Sequence, residues 1–433
     1  QGGMTANVAD TLDNQSGKLI AQAGDLSVNA ASLDNRGGTL ASLKAALQTQ
    51  VVGVLRNGYD LNNNRQGGVM QGQSLNLQAG SVDNYGGRIA AQGGNALVTT
   101  GNFDNRNGGL YAKGLMRVVG HDFDNSGDND GQIAGQQIDL DLSGALNNRL
   151  GIIESESSLK VRAASLDNQT GRLRALGTAG TTEFAIGGLF DNRNGVLETA
   201  NNDLTLNAGS LQNLGGNVLH VGTGKFGIAP ANLNDVGGSL VTRGDLTITQ
   251  GNWTNSSVIQ AGQLTVNVDS LDQTATGQLL GARRFIGNGA NWTTHGLIAS
   301  DGALDLTLSG ALNSSGRISS LGNLNLNAAQ ASLSDTASIA GGGVTTANIA
   351  GTLNNRGRLT AATDLVVNAG TLNNYATLGS GQRLVATTGA LLNDHGLIFS
   401  GGDMSLRVDA LNNSYADVYS LGNLSVDRDG KGS

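Results

Sequence analysis

The chain has no cysteine, and its 433 residues include a single proline. A disulfide scaffold and a thiolate metal site are therefore excluded. Aromatic residues make up 3% of the chain, too few for a globular core built on large rings. Charged residues are 14%, well below the roughly 25% of ordinary soluble domains. A net charge of −8 comes with no cluster of Lys and Arg, so nucleic acid is not an expected partner. No apolar run approaches the roughly 18 residues of a membrane helix, so the chain is not expected to be membrane-embedded. No signal-peptide pattern opens it. Walker A loops, nucleotide-binding glycine fingerprints, nucleophile elbows and zincin helices are missing too. No catalytic residue, metal or cofactor is expected from motif or spacing.

What the chain does have is glycine, 67 residues of it, and repetition. "LDNQSGKLIA" from residue 12 returns as "LDNRGGTLAS" from residue 33. Apolar residues that precede a polar pair recur along the whole chain. They run from Leu12, Leu33, Leu61, Val82 and Phe103, through Trp253, Trp292, Leu333 and Leu392, to Leu411, with a mean step of about 21 residues. A fixed period of this kind marks a repeat architecture.

Within a unit, short runs alternate with period 2. Leu26, Val28 and Ala30 interleave with Ser27, Asn29 and Ala31, and "DLTLNAGSLQN" and "NLNLNAAQASL" keep the same phase. Period-2 runs bounded by Gly and Asn/Asp read as half-buried strands, and helical repeats are excluded by both period and spacing. The expected fold is all-β, a right-handed parallel β-helix of about 20 coils with about 21 residues per coil, near 95 Å long at ~4.8 Å per coil. It is expected to run continuously over residues 1–433. Long steps at Leu33–Leu61 and Leu166–Phe190 place loop insertions near 43–59 and 177–188. The pattern begins and ends in mid-repeat, so the chain reads as a piece of a longer protein.

The second residue after each anchor is Asn in the first ten units: Asn14, Asn35, Asn63, Asn84, Asn105, Asn125, Asn148, Asn168, Asn192 and Asn213. Stacked Asn side chains can bond amide to amide along a β stack, and Asn tolerates the left-handed backbone of a tight corner. The following Gly, as in Gly17, Gly37 and Gly86, adds freedom of the same kind. "LDNxxG" is thus expected to be one corner of the coil.

Few residues suggest chemistry. His121, His220, His295 and His395 read as exposed turn residues, and His295 and His395 lie five coils apart, too far to share a metal. Asp124–Asp130, in "DNSGDNDG", resembles the start of a calcium loop, but a calcium loop of that type wants Glu at its twelfth position. Arg243, Gly244 and Asp245 spell the tripeptide read by integrin-type receptors, and are the candidate receptor-binding residues. The same register reads "AGDL", "LGNL" and "GGDM" elsewhere, which makes Gly-Asp the turn before a strand. Trp253 and Trp292 occupy anchors and are expected to pack inward.

"LDNRGGTLAS", "LDNQTGRLRA", "SVDNYGGRIAAQG" and "LNNRGRLTAATDLVVNAGTLNN" resemble the haemagglutinin repeats of filamentous-haemagglutinin-type exoproteins, the secreted members of two-partner secretion. The resemblance implies a long right-handed parallel β-helix, passage through an outer-membrane β-barrel transporter partner, and a secreted or cell-surface location. It implies a non-catalytic stalk or adhesive segment that meets a cell-surface receptor on neighbouring bacteria or host cells. Two branches fit: stalks of contact-dependent growth-inhibition (CdiA-type) toxins, slightly favoured, and host-cell or biofilm adhesins. An enzyme such as a β-helical polysaccharide lyase is the remote alternative, because clustered acids and aromatic sugar platforms are not evident. Exposed strand edges at the two ends would favour end-to-end association.

Overall fold

A computed structural model describes residues 2–62, 64–127 and 131–428. By packing, the chain divides into two compact units, Gln1–Asn232 and Leu233–Ser433. Each is all-β, and the one helical turn among the described residues is Pro230–Leu233.

Unit 1 is a parallel β-helix. Met4–Asp13 pairs with Leu26–Asp34, which pairs with Leu47–Arg56, which pairs with Leu75–Asp83, all in parallel. A second run of short strands stacks likewise, Lys18–Ala21 on Thr39–Ser42 and Arg88–Ala91 on Gly109–Gly120. A register shift recurs at one place in the long strands, between Val8 and Thr11, Ala30 and Leu33, Val51 and Val54, and Ile186 and Leu189. Such a bulge bends the strand and lets it turn toward the corner. Side chains alternate as the sequence pattern requires: Leu26, Val28, Leu33, Leu40 and Leu47 are buried. Identical positions of successive coils stack, as where Phe103 lies on Phe123 with ring centroids 4.6 Å apart.

Unit 2 follows the same rule. Trp253, Leu271, Trp292 and Leu312 stack in register, followed by Ala331, Leu353, Leu372 and Leu391. Both tryptophans are buried, and each indole N–H donates to a backbone carbonyl, Trp253 to Leu233 at 2.9 Å and Trp292 to Val268 at 2.8 Å. Inward rings of this size need space. A Cβ on Gly287 would stand 2.6 Å from the Trp292 ring.

Three anchors differ from the sequence expectation. Leu61 is 73% exposed, and the residue stacked between Leu33 and Val82 is Leu55. "LNN" at 61–63 imitates the corner, whereas the true corner reads "LRN". Ala331 rather than Leu333 continues the anchor column, and Leu391 rather than Leu392. In a strand, a slip of one or two positions still lands on a plausible apolar residue, and only pairing decides.

The insertions are also placed by pairing. Within 43–59, Leu47–Arg56 is an ordinary stacked strand, and the added chain is a small antiparallel hairpin, Tyr59–Asp60 with Gln66–Gly67. Within 177–188, Thr181–Asp191 is ordinary strand, and the extra residues lie between Ala175 and Thr181.

Candidate functional site

The corner of unit 1 is the most repeated local structure, and each residue of "LDNxxG" has a separate task. The Leu points inward. The Asp, exposed at Asp13 but covered at Asp34 and Asp191, accepts on Oδ1 the backbone N–H two residues on: Gln15 on Asp13 at 3.0 Å, Arg36 on Asp34 at 3.2 Å, Gln169 on Asp167 at 2.9 Å. This Asx-turn begins the reversal of the chain. Where the second residue on is Arg, its guanidinium also forks onto the same carboxylate, as in Asp34–Arg36, Asp104–Arg106 and Asp191–Arg193. Burial pushes the Asp34 and Asp191 carboxyls up. The Arg side chain and the turn's N–H more than offset that, so both lie below the ordinary value.

The Asn is buried and forms a rung. Asn14 Nδ2 donates to Asn35 Oδ1, Asn35 to Asn57, Asn57 to Asn84, and Asn84 to Asn105, each at 2.7 or 2.8 Å. Asn105, Asn125, Asn148, Asn168 and Asn192 continue the chain of bonds to Asn213 at the same lengths. The expected rung at residue 63 lies outside the described residues, and Asn57 stands in the ladder between Asn35 and Asn84. The second N–H of each amide reaches backbone oxygen, for example Asn148 to Gly151 O at 3.2 Å. A column of side-chain amides therefore runs inside unit 1 with every donor used, in one direction.

The left-handed residue is not the Asn but the second residue after it: Ser16, Gly37, Gly86, Asn107, Leu150, Thr170, Asn194 and Gly215 all have φ between 52° and 71°. The last Gly is required by space instead. A Cβ on Gly151 would stand 2.2 Å from Asn125 O and 2.6 Å from Asn148 Oδ1.

In unit 2 the ladder is intermittent. Asn355, Asn374, Asn393 and Asn413 are bonded in sequence at 2.7 or 2.8 Å. Gln273, Thr294, Ser314 and Leu333 occupy the preceding rungs. After Thr294, Ser314 and Asn355 the Gly follows the rung by two residues, as in Asn355-Arg356-Gly357, so those corners are one residue shorter, whereas Asn393 and Asn413 keep the longer corner with left-handed His395 and Tyr415.

A second corner explains the tripeptide. At this turn an Asx side chain caps a backbone N–H of the next coil: Asp25 to Ala46, Asp203 to Lys225, Asp364 to Arg383, Asp403 to Asn423. Asp245 belongs to this series. Its Oδ1 accepts the Gln263 N–H at 2.9 Å, and Arg283 pairs with the same carboxylate. Gly244 is buried, and Arg243 is exposed. The carboxylate of the tripeptide is thus engaged within its own fold.

The histidines divide. His121, His295 and His395 lie at the surface beside Asp122, Ser315 and Asp394. His220 instead points inward, fully buried, contrary to the reading of all four as turn residues. Its ring stacks on Phe226 and its Nε2 faces the carbonyls of Asn202 and Asn201 at 2.9 and 3.2 Å. Burial holds its pKa below 6.5. The alternation of "NVLH" was the available signal, since it puts His220 in phase with Val218. Of the calcium-like segment, residues 128–130 lie outside the described residues, and Asp124 accepts the N–H and hydroxyl of Ser126. Among the described residues, no three His, Asp or Glu side chains are grouped to hold a metal.

The hairpin is where the surface of unit 1 leaves its repeat. Tyr59 meets the edge of Tyr85 at 5.4 Å, and the Arg106 guanidinium lies 5.3 Å from the centre of the Tyr85 ring. Gly86 makes room for Tyr59, since a Cβ there would stand 2.1 Å from the ring. Leu61, beside them, is 73% exposed.

Comparison with known proteins places these features. The family model described as haemagglutinin repeat matches in eight segments, residues 2–58, 50–107, 104–149, 118–194, 177–226, 230–282, 259–357 and 322–431. The chain is 29% identical over 407 residues to a protein named deoxyribonuclease CdiA from Dickeya dadantii, covering 92% of this chain and 11% of that protein. It is 28% identical over 479 residues to a protein named toxin CdiA from Escherichia coli, covering 96% of this chain and 14% of that one. The chain thus spans about a tenth to a seventh of the length of these relatives. No solved structure matches it.

Proposed function

The chain belongs to the haemagglutinin-repeat family, and from that premise we propose that it is a non-catalytic stalk section of a contact-dependent growth-inhibition exoprotein. The family is one of large, secreted, cell-surface exoproteins. The reading rests on one observation above others: a single corner, with its Asn rung, is repeated from Asn14 to Asn213, and returns from Asn355 to Asn413. A structure that commits the buried amide of corner after corner to joining one coil to the next is built for length and stiffness. The nuclease activity in one relative's name belongs to that protein. The chain spans only 11% of it, and toxicity in the parent of this chain is assigned to a region outside residues 1–433.

Passage through an outer-membrane β-barrel transporter fits a chain with no cysteine and one proline, since neither crosslinks nor slow isomerisation would obstruct an unfolded chain. Recognition of a neighbouring cell is assigned to departures from the repeat, with Tyr59, Leu61 and Tyr85 the contact residues in unit 1. The test is binding of the labelled chain to intact bacteria and to cultured host cells, with Leu61→Asp and Arg243→Ala variants alongside. Saturable binding to bacteria that Leu61→Asp abolishes supports the proposal. Saturable binding to host cells alone would make this an adhesin, and loss with Arg243→Ala would return recognition to the tripeptide.

A further inference from the structure

Eight buried side-chain polar atoms lack a hydrogen-bond partner among the described residues, and five of them lie in one column of unit 2. They are Asn255 Nδ2, Gln273 Oε1, Thr294 Oγ1, Ser314 Oγ and Asn355 Oδ1. This is the column that carries the amide ladder elsewhere. The breaks have local causes. Gln273 is one methylene longer than Asn, and its amide turns to the Gly277 and Leu297 carbonyls at 2.9 and 2.8 Å. The Thr and Ser hydroxyls stop short of the next rung. The Leu333 side chain has no polar atom, so the side chains of Ser314 below it and Asn355 above it are each left with an unmatched oxygen.

The coil that carries Leu333 is depleted in other ways. Its anchor is Ala331, between Leu312 and Leu353. Thr345 stands between Leu324 and Leu365 in the inward column, and Ala347 between Leu326 and Val367. Thr345 is fully buried and spends its hydroxyl on the Thr360 carbonyl at 3.1 Å. Leu333 recovers the volume lost at Ala331, and buried Ile349, between Ala328 and Ala369, recovers part of the apolar area missing at 345 and 347, but the two orphaned polar atoms stay unmatched. The coils of Trp253 and Trp292 share the ladder fault but hold two of the largest buried side chains in the molecule. The coil between Ala331 and Ile349 has the fault without that compensation.

We infer that the coil Ala331–Ile349 is a built-in opening point, the place where unit 2 comes apart first while the coils on either side remain folded. Local stability in a stacked repeat is the sum of each coil and its two interfaces. Removing one member of a hydrogen-bonded pair is costly, whereas removing both is nearly neutral. Here the backbone bonds to both neighbouring coils are intact, as in Ser334 N to Ser314 O at 2.9 Å and Thr345 N to Asp364 O at 2.9 Å. The interface is therefore native in geometry and deficient in side-chain energy. Such a coil gives a stalk a defined position at which to yield under load.

Native-state hydrogen exchange on the full chain tests this directly. Amides of Ser338–Gly341 and Thr345–Ile349 are expected to show protection at least about tenfold lower than those of Leu384–Asp394 and Thr181–Asp191, since protection reads the local opening equilibrium. The double substitution Ala331→Leu/Leu333→Asn rewrites the corner as Leu-Ser-Asn and supplies partners to Ser314 and Asn355 together. It is expected to raise protection of this coil by about tenfold or more. The mirror change in unit 1, Leu166→Ala/Asn168→Leu, is expected to create an opening point there, which keeps the test decisive if the repaired chain does not fold. Equal protection of this coil and the two reference strands in the native chain would overturn the inference. So would an opening at 331–349 that the repair leaves unchanged.

Discussion

Asn148 donates a side-chain N–H to Asn168 Oδ1 at 2.7 Å, and Asn148 Oδ1 in turn accepts from Asn125 at 2.8 Å. The middle rung is therefore a donor to one coil and an acceptor from another, and it is fully buried. Asn148→Ala strands Asn168 Oδ1 and leaves Asn125 Nδ2 only the Gly131 and Ile152 carbonyls, at 3.1 and 3.3 Å. The expected loss is about 2–4 kcal/mol of local stability. Asn355→Ala strands a single partner on the Asn374 side, because its own Oδ1 already lacks a donor. It is expected to cost about half as much. Hydrogen exchange of the flanking strands in the two variants makes the comparison.

Glycine substitutions separate space from conformation. Gly151→Ala puts a Cβ 2.2 Å from Asn125 O, a backbone atom that cannot swing away, and is expected to destabilise by about 3 kcal/mol or more. Gly251→Ala meets nothing within 4 Å and is expected to be neutral within about 0.5 kcal/mol. Guanidinium denaturation of the two variants beside the parent chain gives the contrast.

The tripeptide turn yields opposite outcomes at neighbouring residues. Asp245→Ala removes the cap on the Gln263 N–H and is expected to cost about 1 kcal/mol. Arg243, which is exposed, is expected to accept Ala with a change under about 0.5 kcal/mol. A thermal melt of each checks both.

Much of this was legible in the sequence, because the coil repeats its physics. Period-2 alternation placed the strands, and "LDNxxG" located the ladder at Asn14, Asn35 and from Asn84 onward. One departure is a local imitation: Leu61 in "LNN" matches the corner pattern more closely than Leu55 in "LRN", since the middle residue is free to be Arg. Ala331 and Leu333 both point inward, so the pattern favours the larger residue as anchor and only pairing shows that Ala331 holds the column. Asn and the following Gly share a tolerance for the left-handed backbone, and the structure shows where it is used: at Gly37 and Gly86, with φ of 64° and 71°, and not at the Asn rungs. The hairpin contacts of Tyr59 with Tyr85 and Gly86 cross separate coils and had no signal within any one repeat.

Three side chains, His220, Asp34 and Asp191, give pH dependence of a definite sign. His220 is held neutral by burial, with its pKa below 6.5. The unfolded chain then binds the proton more readily, so stability is full above about pH 6.5 and falls as pH drops toward the folded pKa. Asp34 and Asp191 have lowered values, so their contribution is present above the ordinary carboxylate pKa and is lost below it. His220→Gln is expected to flatten the decline between pH 6.5 and 5 and leave the loss below pH 4 in place. Melting curves across that range would show it.

The central claim is that the coil is the unit of structure, joined to its neighbours by the same rung each time. Deleting residues 149–168 removes one full step of the ladder, 20 residues from Asn148 to Asn168, and brings Asn148 directly before Gln169. Deleting 149–158 removes half a step and puts every following side chain out of phase. Circular dichroism and cooperative melting of the two deletions is the decisive measurement. The account predicts that the whole-coil deletion keeps its β signal and melts within a few degrees of the parent, while the half-coil deletion loses its cooperative transition in unit 1. Equal damage from both would contradict it.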